Sequence, residues 1–449
     1  MSYRKCALFF CVYLSITAID FSCFGQSFFT INGGAKKCTI PFRLVNNVIV
    51  IKVKVNGTPL NFLLDTGVEE TLLLDLQNEK EVILNEVETI KLQGFGLEEP
   101  ISGLKAKGNY LEVGNLTSEN HVLFVVLNRN IGFIASLGIQ VNGILGSNFF
   151  KNNVVKIDYQ RKRIVVYQSS YFRSRFRDED FTAIPILLED NKPYVDALVR
   201  ESTTSEETIS KFLIDSGLSS TLWFFSPNKK LLEDSSVGVF EDFLGIGFSG
   251  IVRGSYSRVD SVSLGNISLQ NVVVAYPDST FYNNLKLISN RGGSIGGEIL
   301  RRFQVIFDYQ QNMVYLKPNK FFSIFFSYNK SGIHLQRGDD RLISIQPSNY
   351  NDDSKLTINF GSQNLNVKYR FIRRPAYEIG YLRCDSPAER AGVHIGDVIL
   401  KVNGTSTSEL SLDQVSKLLK PKNEEFIILE VDRMGENLFF RFQLKNILD

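Results

Sequence analysis

Cysteine is scarce in this chain and poorly placed for structural use. Of five, Cys6, Cys11 and Cys23 stand in or beside the N-terminal leader, which leaves Cys38 and Cys384 across 449 residues. That spacing excludes a disulfide framework and a CxxC metal pair. The three histidines, His121, His334 and His394, are scattered, which argues against a His-rich zinc site and makes each a surface or packing residue. Charge of one sign is lacking too: 50 Lys and Arg stand against 48 Asp and Glu, a net charge of +2. Nothing in that balance draws nucleic acid or an anionic membrane. Beyond the extreme N-terminus, no apolar run is long enough to span a bilayer. No metal and no organic cofactor is expected.

What is present describes an ordinary folded chain. Hydrophobic residues make up 43% and charged residues 22%. The length allows two or three domains with full cores. The 35 Phe and 17 Tyr against one Trp suit a β-rich architecture, since aromatics fit pleated, half-buried surfaces. Arg4 and Lys5 precede the apolar run "CALFFCVYLSITAI", which meets Asp20. The run has the length of a signal-peptide core and is short for a membrane span. Gly25 before Gln26 marks the preferred cleavage point, which gives a signal peptide over residues 1–25 and an exported protein, periplasmic or secreted. Cys23 offers a lipoprotein tether, disfavoured because Asp20 stands where an apolar residue would be wanted.

An internal repeat organises the middle of the chain. "FLLDTGVEE" at Phe62 and "FLIDSGLSS" at Phe212 are 150 residues apart. "ILGSNFFKNNVVKIDYQRKRIVVY" from Ile144 and "SIGGEILRRFQVIFDYQQNMVYLK" from Ser294 align at the same shift. "GFG" at Gly94 and "VGN" at Val113 match "GIG" at Gly245 and "LGN" at Leu264 at a shift of 151. Residues from about 40 to 318 are therefore two copies of one lobe. Each copy reads as hairpins with short helices after "LGSNFF" and "GGEILR". From about residue 323 the pattern changes to a separate α+β module.

Each copy ends an apolar strand on a carboxylate, Asp65 or Asp215. A carboxylate buried alone is costly or becomes neutral. If the lobes pair about a pseudo-two-fold axis, the two meet, and carboxyls about 3 Å apart hold one proton between them. One can then take a proton from a shared water while the other donates to a carbonyl oxygen. Gly67 and Gly217 lack a Cβ and allow close approach. Thr66 and Ser216 supply hydroxyls that can cross-link the loops, and Thr71 and Thr221 hydroxyls that can steady them. A glycosidase also uses two carboxylates, but in unlike environments, whereas these contexts match.

"DTGVEETLLL", "DSG" and "ILGSNFF" resemble the aspartic peptidase family, both its single-lobe retropepsin type and its two-lobe pepsin type. The resemblance implies duplicated β-barrel lobes over 26–180 and 181–322, with Asp65 and Asp215 as the catalytic pair. It also implies a flap over an extended peptide or protein substrate at Gly94, Phe95 and Gly96. Three departures stand out: no flap Tyr at the position pepsins use, since Phe95 occupies the Gly-Phe-Gly tip; apolar Val68 and Leu218 after each motif, rather than the Ser common in pepsins; and Ser294 where an apolar residue is usual. "SPAERAG" and "IGDVILKVNG" resemble a PDZ domain of exported bacterial proteases, assigned to 323–449. In that family, backbone N–H groups of the "SGIHL" stretch, Gly332, Ile333, His334 and Leu335, hold a C-terminal peptide ligand. An inactive peptide-binding protein on the same fold is the alternative to an enzyme.

Overall fold

The computed structural model describes residues 28–448, apart from 75–80, 93–100, 128–136, 178, 203–205, 226–237, 248–249, 284–287, 289, 346–357, 361–362, 366–369 and 421–424. The leader and the flap tip Gly94, Phe95 and Gly96 lie outside the described residues.

The chain is mainly β, with duplicated lobes followed by an α+β module. In the first lobe the hairpin Val48–Val55 and Thr58–Leu64 carries Phe62–Leu64 alongside the parallel strand Gly143–Leu145. In the second, Lys192–Arg200 and Thr208–Ile214 form the matching hairpin, with Phe212–Ile214 alongside Gly293–Ile295. Alternation of apolar residues buries Ile49, Ile51, Val53, Leu60, Phe62 and Leu64 in one core that continues into the second lobe. The short helices expected after "LGSNFF" and "GGEILR" instead lie within them, as Ser147–Phe150 and Gly297–Leu300.

A six-stranded sheet joins the lobes at its centre, where Asn153–Asp158 pairs antiparallel with Phe303–Asp308. Val155 faces Phe307 and Ile157 faces Val305, and 155 and 157 lie 150 residues before 305 and 307. Each strand therefore meets its own counterpart in reversed order, which requires a two-fold relation between the lobes. The sequence repeat has become a symmetry axis.

The third unit is a five-strand path, Ile333–Ile345, Arg370–Leu382, Val398–Val402, Phe426–Arg433 and Glu436–Gln443, with the helices Pro387–Arg390 and Leu412–Leu418. Ser386 caps the first helix by accepting from the Glu389 N–H, and Ser411 forms a capping box with Gln414. It has its own core around Ile379, Val393, Ile427 and Leu429. The long interval after "SGIHL" extends the first two strands into an arm. Phe322, Phe326 and Tyr328 pack on the lobe core rather than inside the module, with Phe326 under the Arg302 guanidinium at 3.6 Å. Leu448, near the C-terminus, joins the same lobe core. No helix among the described residues is long and apolar enough to cross a membrane.

Candidate active site

Two strands deliver the carboxylates. The Asp65 N–H donates to Leu145 O at 3.0 Å and the Asp215 N–H to Ile295 O at 2.9 Å, so each loop hangs from the strand behind it. Behind that, the Ser147 N–H donates to Val68 O and the Gly297 N–H to Leu218 O, at 2.7 and 2.6 Å. The loops then cross-link through reciprocal hydrogen bonds. The Thr66 hydroxyl donates to Ile214 O at 2.6 Å and the Ser216 hydroxyl to Leu64 O at 2.8 Å. The Thr66 N–H donates to Ser216 Oγ at 3.1 Å and the Ser216 N–H to Thr66 Oγ1 at 3.0 Å. Thr66 and Ser216 are buried, so these bonds are made without competition from water.

Each carboxylate lies against the opposite glycine. A Cβ built on Gly217 would stand 2.2 Å from Asp65 Oδ2, and one on Gly67 would stand 2.9 Å from Asp215 Cγ. The Gly67 N–H donates to Asp65 Oδ1 at 2.7 Å, while Gly217 and Leu218 N–H groups donate to Asp215 Oδ1 at 3.0 and 3.1 Å. Burial, and then the charge of Asp215, push the Asp65 carboxyl up to about 8. Burial raises Asp215 as well, opposed by the Arg291 guanidinium. Such a pair holds a shared proton, the established behaviour of paired carboxyls, with one member able to accept and the other to donate.

The close approach at Gly217 gives a direct prediction. Gly217→Ala forces the methyl into the Asp65 carboxylate and moves it off its Gly67 N–H. A displacement on the order of 1 Å costs about 10²-fold in turnover. Gly67→Ala is expected to do less, because its methyl meets Asp215 at a longer distance. Comparing kcat/KM of the two variants, with circular dichroism to check folding, tests the order.

The remaining expectations fall unevenly. Thr71 is fully buried, and its hydroxyl lies 2.8 Å from His121 Nε2. The other ring nitrogen lies 2.8 Å from Ser118 Oγ. Burial pushes His121 down to about 4, so it is a neutral bridge bracing the Asp65 loop. In the sequence His121 is one of three scattered histidines, with no sign of this role. No local motif links it to Thr71, 50 residues away. Thr221, the second-lobe counterpart, is buried and its carbonyl accepts from the Gly296 N–H at 2.9 Å. Glu69 accepts from Asn191 of the other lobe at 2.5 Å. Asn47 makes the reverse crossing, donating to Ser219 O and Glu298 at 3.0 and 2.9 Å.

Gly332, Ile333, His334 and Leu335 open the edge strand of the module, next to the helix Leu412–Leu418. Two of the N–H groups expected to face a ligand carboxylate are taken: Gly332 donates to Asn329 Oδ1 and Ile333 to Ser331 Oγ, both at 3.2 Å. His334 Nε2 lies 3.1 Å from Asp242 of the second lobe. Among the described residues there is no cluster of three or more His, Cys, Asp or Glu able to hold a metal.

Two family models match parts of the chain. Residues 51–149 match the family model described as aspartyl protease, and residues 378–433 match the one described as PDZ domain. The two matched stretches are thus similar to an aspartyl protease and to a PDZ domain. The solved aspartic proteinase from Irpex lacteus is similar over 64% of this chain and 99% of its own, at 11% identity and a TM-score of 0.43. No curated protein matches.

Proposed function

We propose that the protein is an exported aspartic endopeptidase that cleaves peptide bonds through a water activated between Asp65 and Asp215. The reciprocal Thr66–Ser216 cross-link under two facing carboxylates is the observation that carries this reading. General acid–base catalysis needs both carboxyls fixed at one water, which this cross-link provides. One carboxylate takes a proton from the water as its oxygen attacks the carbonyl carbon, and the other carboxyl protonates the carbonyl oxygen. An extended peptide or protein is the substrate, and no metal or organic cofactor takes part. Export rests on the leader, residues 1–25. The PDZ module either recruits C-terminal tails of substrates or regulates the lobes. Its docking on a second-lobe hairpin through His334 and Asp242 favours regulation.

Incubating the purified protein and its Asp65→Asn variant with casein, with and without a statine-type inhibitor, is the test. Cleavage by the parent alone, blocked by the inhibitor, is expected. Equal cleavage by both proteins would sink the dyad, and cleavage by neither would leave a peptide-binding protein on the same fold.

A further inference from the structure

The two arms of the site are not equivalent. Ser294 pairs with Leu213, two residues before Asp215, and Ile144 pairs with Leu63, two residues before Asp65. Alternation along a strand puts each pair on the face of its carboxylate. In the first lobe that face is aliphatic, since Val141 and Ile144 are buried with Leu63, Leu72 and Val50. In the second lobe it carries a cation, Arg291.

A bulge aims that cation. Pairing steps from Lys211–Arg291 to Phe212–Gly293, so Gly292 is an extra residue. In a regular strand, residues 291 and 294 would point to opposite faces; the bulge brings them to the same one. Arg291 Nη2 accordingly donates to Ser294 Oγ at 2.9 Å and Nε to Gly293 O at 3.2 Å. The guanidinium is held between the Phe225 and Tyr194 rings, 5.3 and 5.8 Å from their centroids. Among the described residues no carboxylate forms a salt bridge with it, and its hydrogen bonds go to neutral acceptors. A largely buried guanidinium requires a compensating anion. The anion acting on it is Asp215; the Tyr194 phenol beside it, raised by burial, stays neutral at neutral pH. The other titratable groups at this corner are Asp65 across the axis, Glu189 and Asp190 beyond Tyr194, and Tyr309 facing Asp65. All of these are acids. Lys211, the register partner of Arg291, is drawn off by Asp196 at 3.2 Å, so among the described residues Arg291 is the cation that acts on Asp215.

We propose that Arg291 divides the labour of the dyad: it holds the shared negative charge on Asp215, which makes Asp215 the base and Asp65 the acid. This rests on the peptidase reading above. Asp215 takes the water proton as the oxygen–carbon bond forms, and Asp65 gives its proton to the carbonyl oxygen. On collapse, the proton on Asp215 passes to the amide nitrogen as the carbon–nitrogen bond breaks. A hydroxyl of the diol returns a proton to Asp65, which restores the starting state. Arg291 is a positioning residue that touches neither water nor scissile bond. The two N–H donors on Asp215 Oδ1 act in the same direction.

Arg291→Met and Arg291→Lys test this. With the cation removed, Asp215 becomes easier to protonate, so the acid limb of the kcat/KM–pH profile moves to higher pH by about one unit or more. Arg291→Lys restores most of that displacement. An unmoved acid limb, or a Lys variant that behaves as the Met variant does, overturns the proposal. Carboxyl ¹³C titration of the dyad, assigned with Asp65→Asn and Asp215→Asn, reads the same displacement without turnover. Movement there in a protein that cleaves nothing retains the charge placement and removes the peptidase reading. Cleavage with no movement does the reverse.

Discussion

At neutral pH, Asp65→Asn is expected to melt at a higher temperature than the parent while losing about 10²–10⁴-fold in hydrolysis. The two effects share one cause. Burial and the facing charge of Asp215 hold the Asp65 carboxyl at about 8, against an ordinary 3.8. Between those values the folded chain binds more protons than the unfolded one, so stability falls as pH rises through that window. Below about pH 4 both states are protonated and the site costs nothing; above about pH 8 the full penalty is present. Asn at this position does not titrate and stays neutral throughout. Above about pH 8 it also spares Asp215 a like charge. The gain at pH 8 is on the order of a few kcal/mol, with each kcal/mol worth roughly 2–4 °C for domains of this size. Calorimetry at pH 4 and pH 8 checks it: the two proteins should differ little at the lower pH and diverge at the higher. Parallel melting curves across the range would mean that the dyad stores no such strain.

The dyad was legible in sequence because it is duplicated. A lone Asp-Thr-Gly is weak, but a second copy at a constant shift of 150 residues implies a symmetry axis, and an axis brings Asp65 to Asp215. Thr66, Ser216 and the two glycines follow from the same register. What could not be read is whatever breaks the symmetry or joins residues far apart in the chain. His121 braces Thr71 although no spacing rule connects them, because the contact arises when two strands of the lobe align. Arg291 reads as an ordinary charge in "NRGGSIGG" until the bulge at Gly292 turns it toward Ser294. The N–H groups of Gly332 and Ile333 looked free for a ligand, yet the neighbouring Asn329 and Ser331 side chains accept from them. Composition was informative about fold class and silent about these local capping bonds.

Docking of the PDZ module was the least legible feature, and it carries the second large effect expected here. Asp242, on a second-lobe hairpin strand, and Arg383, just after a strand of the module, form a salt bridge at 3.2 Å with side-chain exposures of 2% and 4%. The guanidinium also donates to Asn329 O and Lys330 O at 2.9 and 3.1 Å and lies 4.6 Å from the Phe240 ring centroid. Asp242 further accepts from the Phe243 N–H at 2.8 Å, and Phe243 stacks on Tyr381 of the module at 5.0 Å. Arg383→Met leaves Asp242 buried with His334 as its remaining cross-module partner, together with two backbone carbonyls that have lost their donor. Breaking one side of such a buried pair costs about 3–5 kcal/mol. Replacing both partners with apolar residues is often nearly neutral, so Arg383→Met with Asp242→Leu should recover most of the loss. Denaturant unfolding of the parent, the single and the double variant measures both steps. Limited proteolysis between residues 319 and 332 reports whether the module has come away from the lobe. A single variant as stable as the parent would mean that the module is held by its apolar contacts alone, through Phe326, Tyr328 and Leu448.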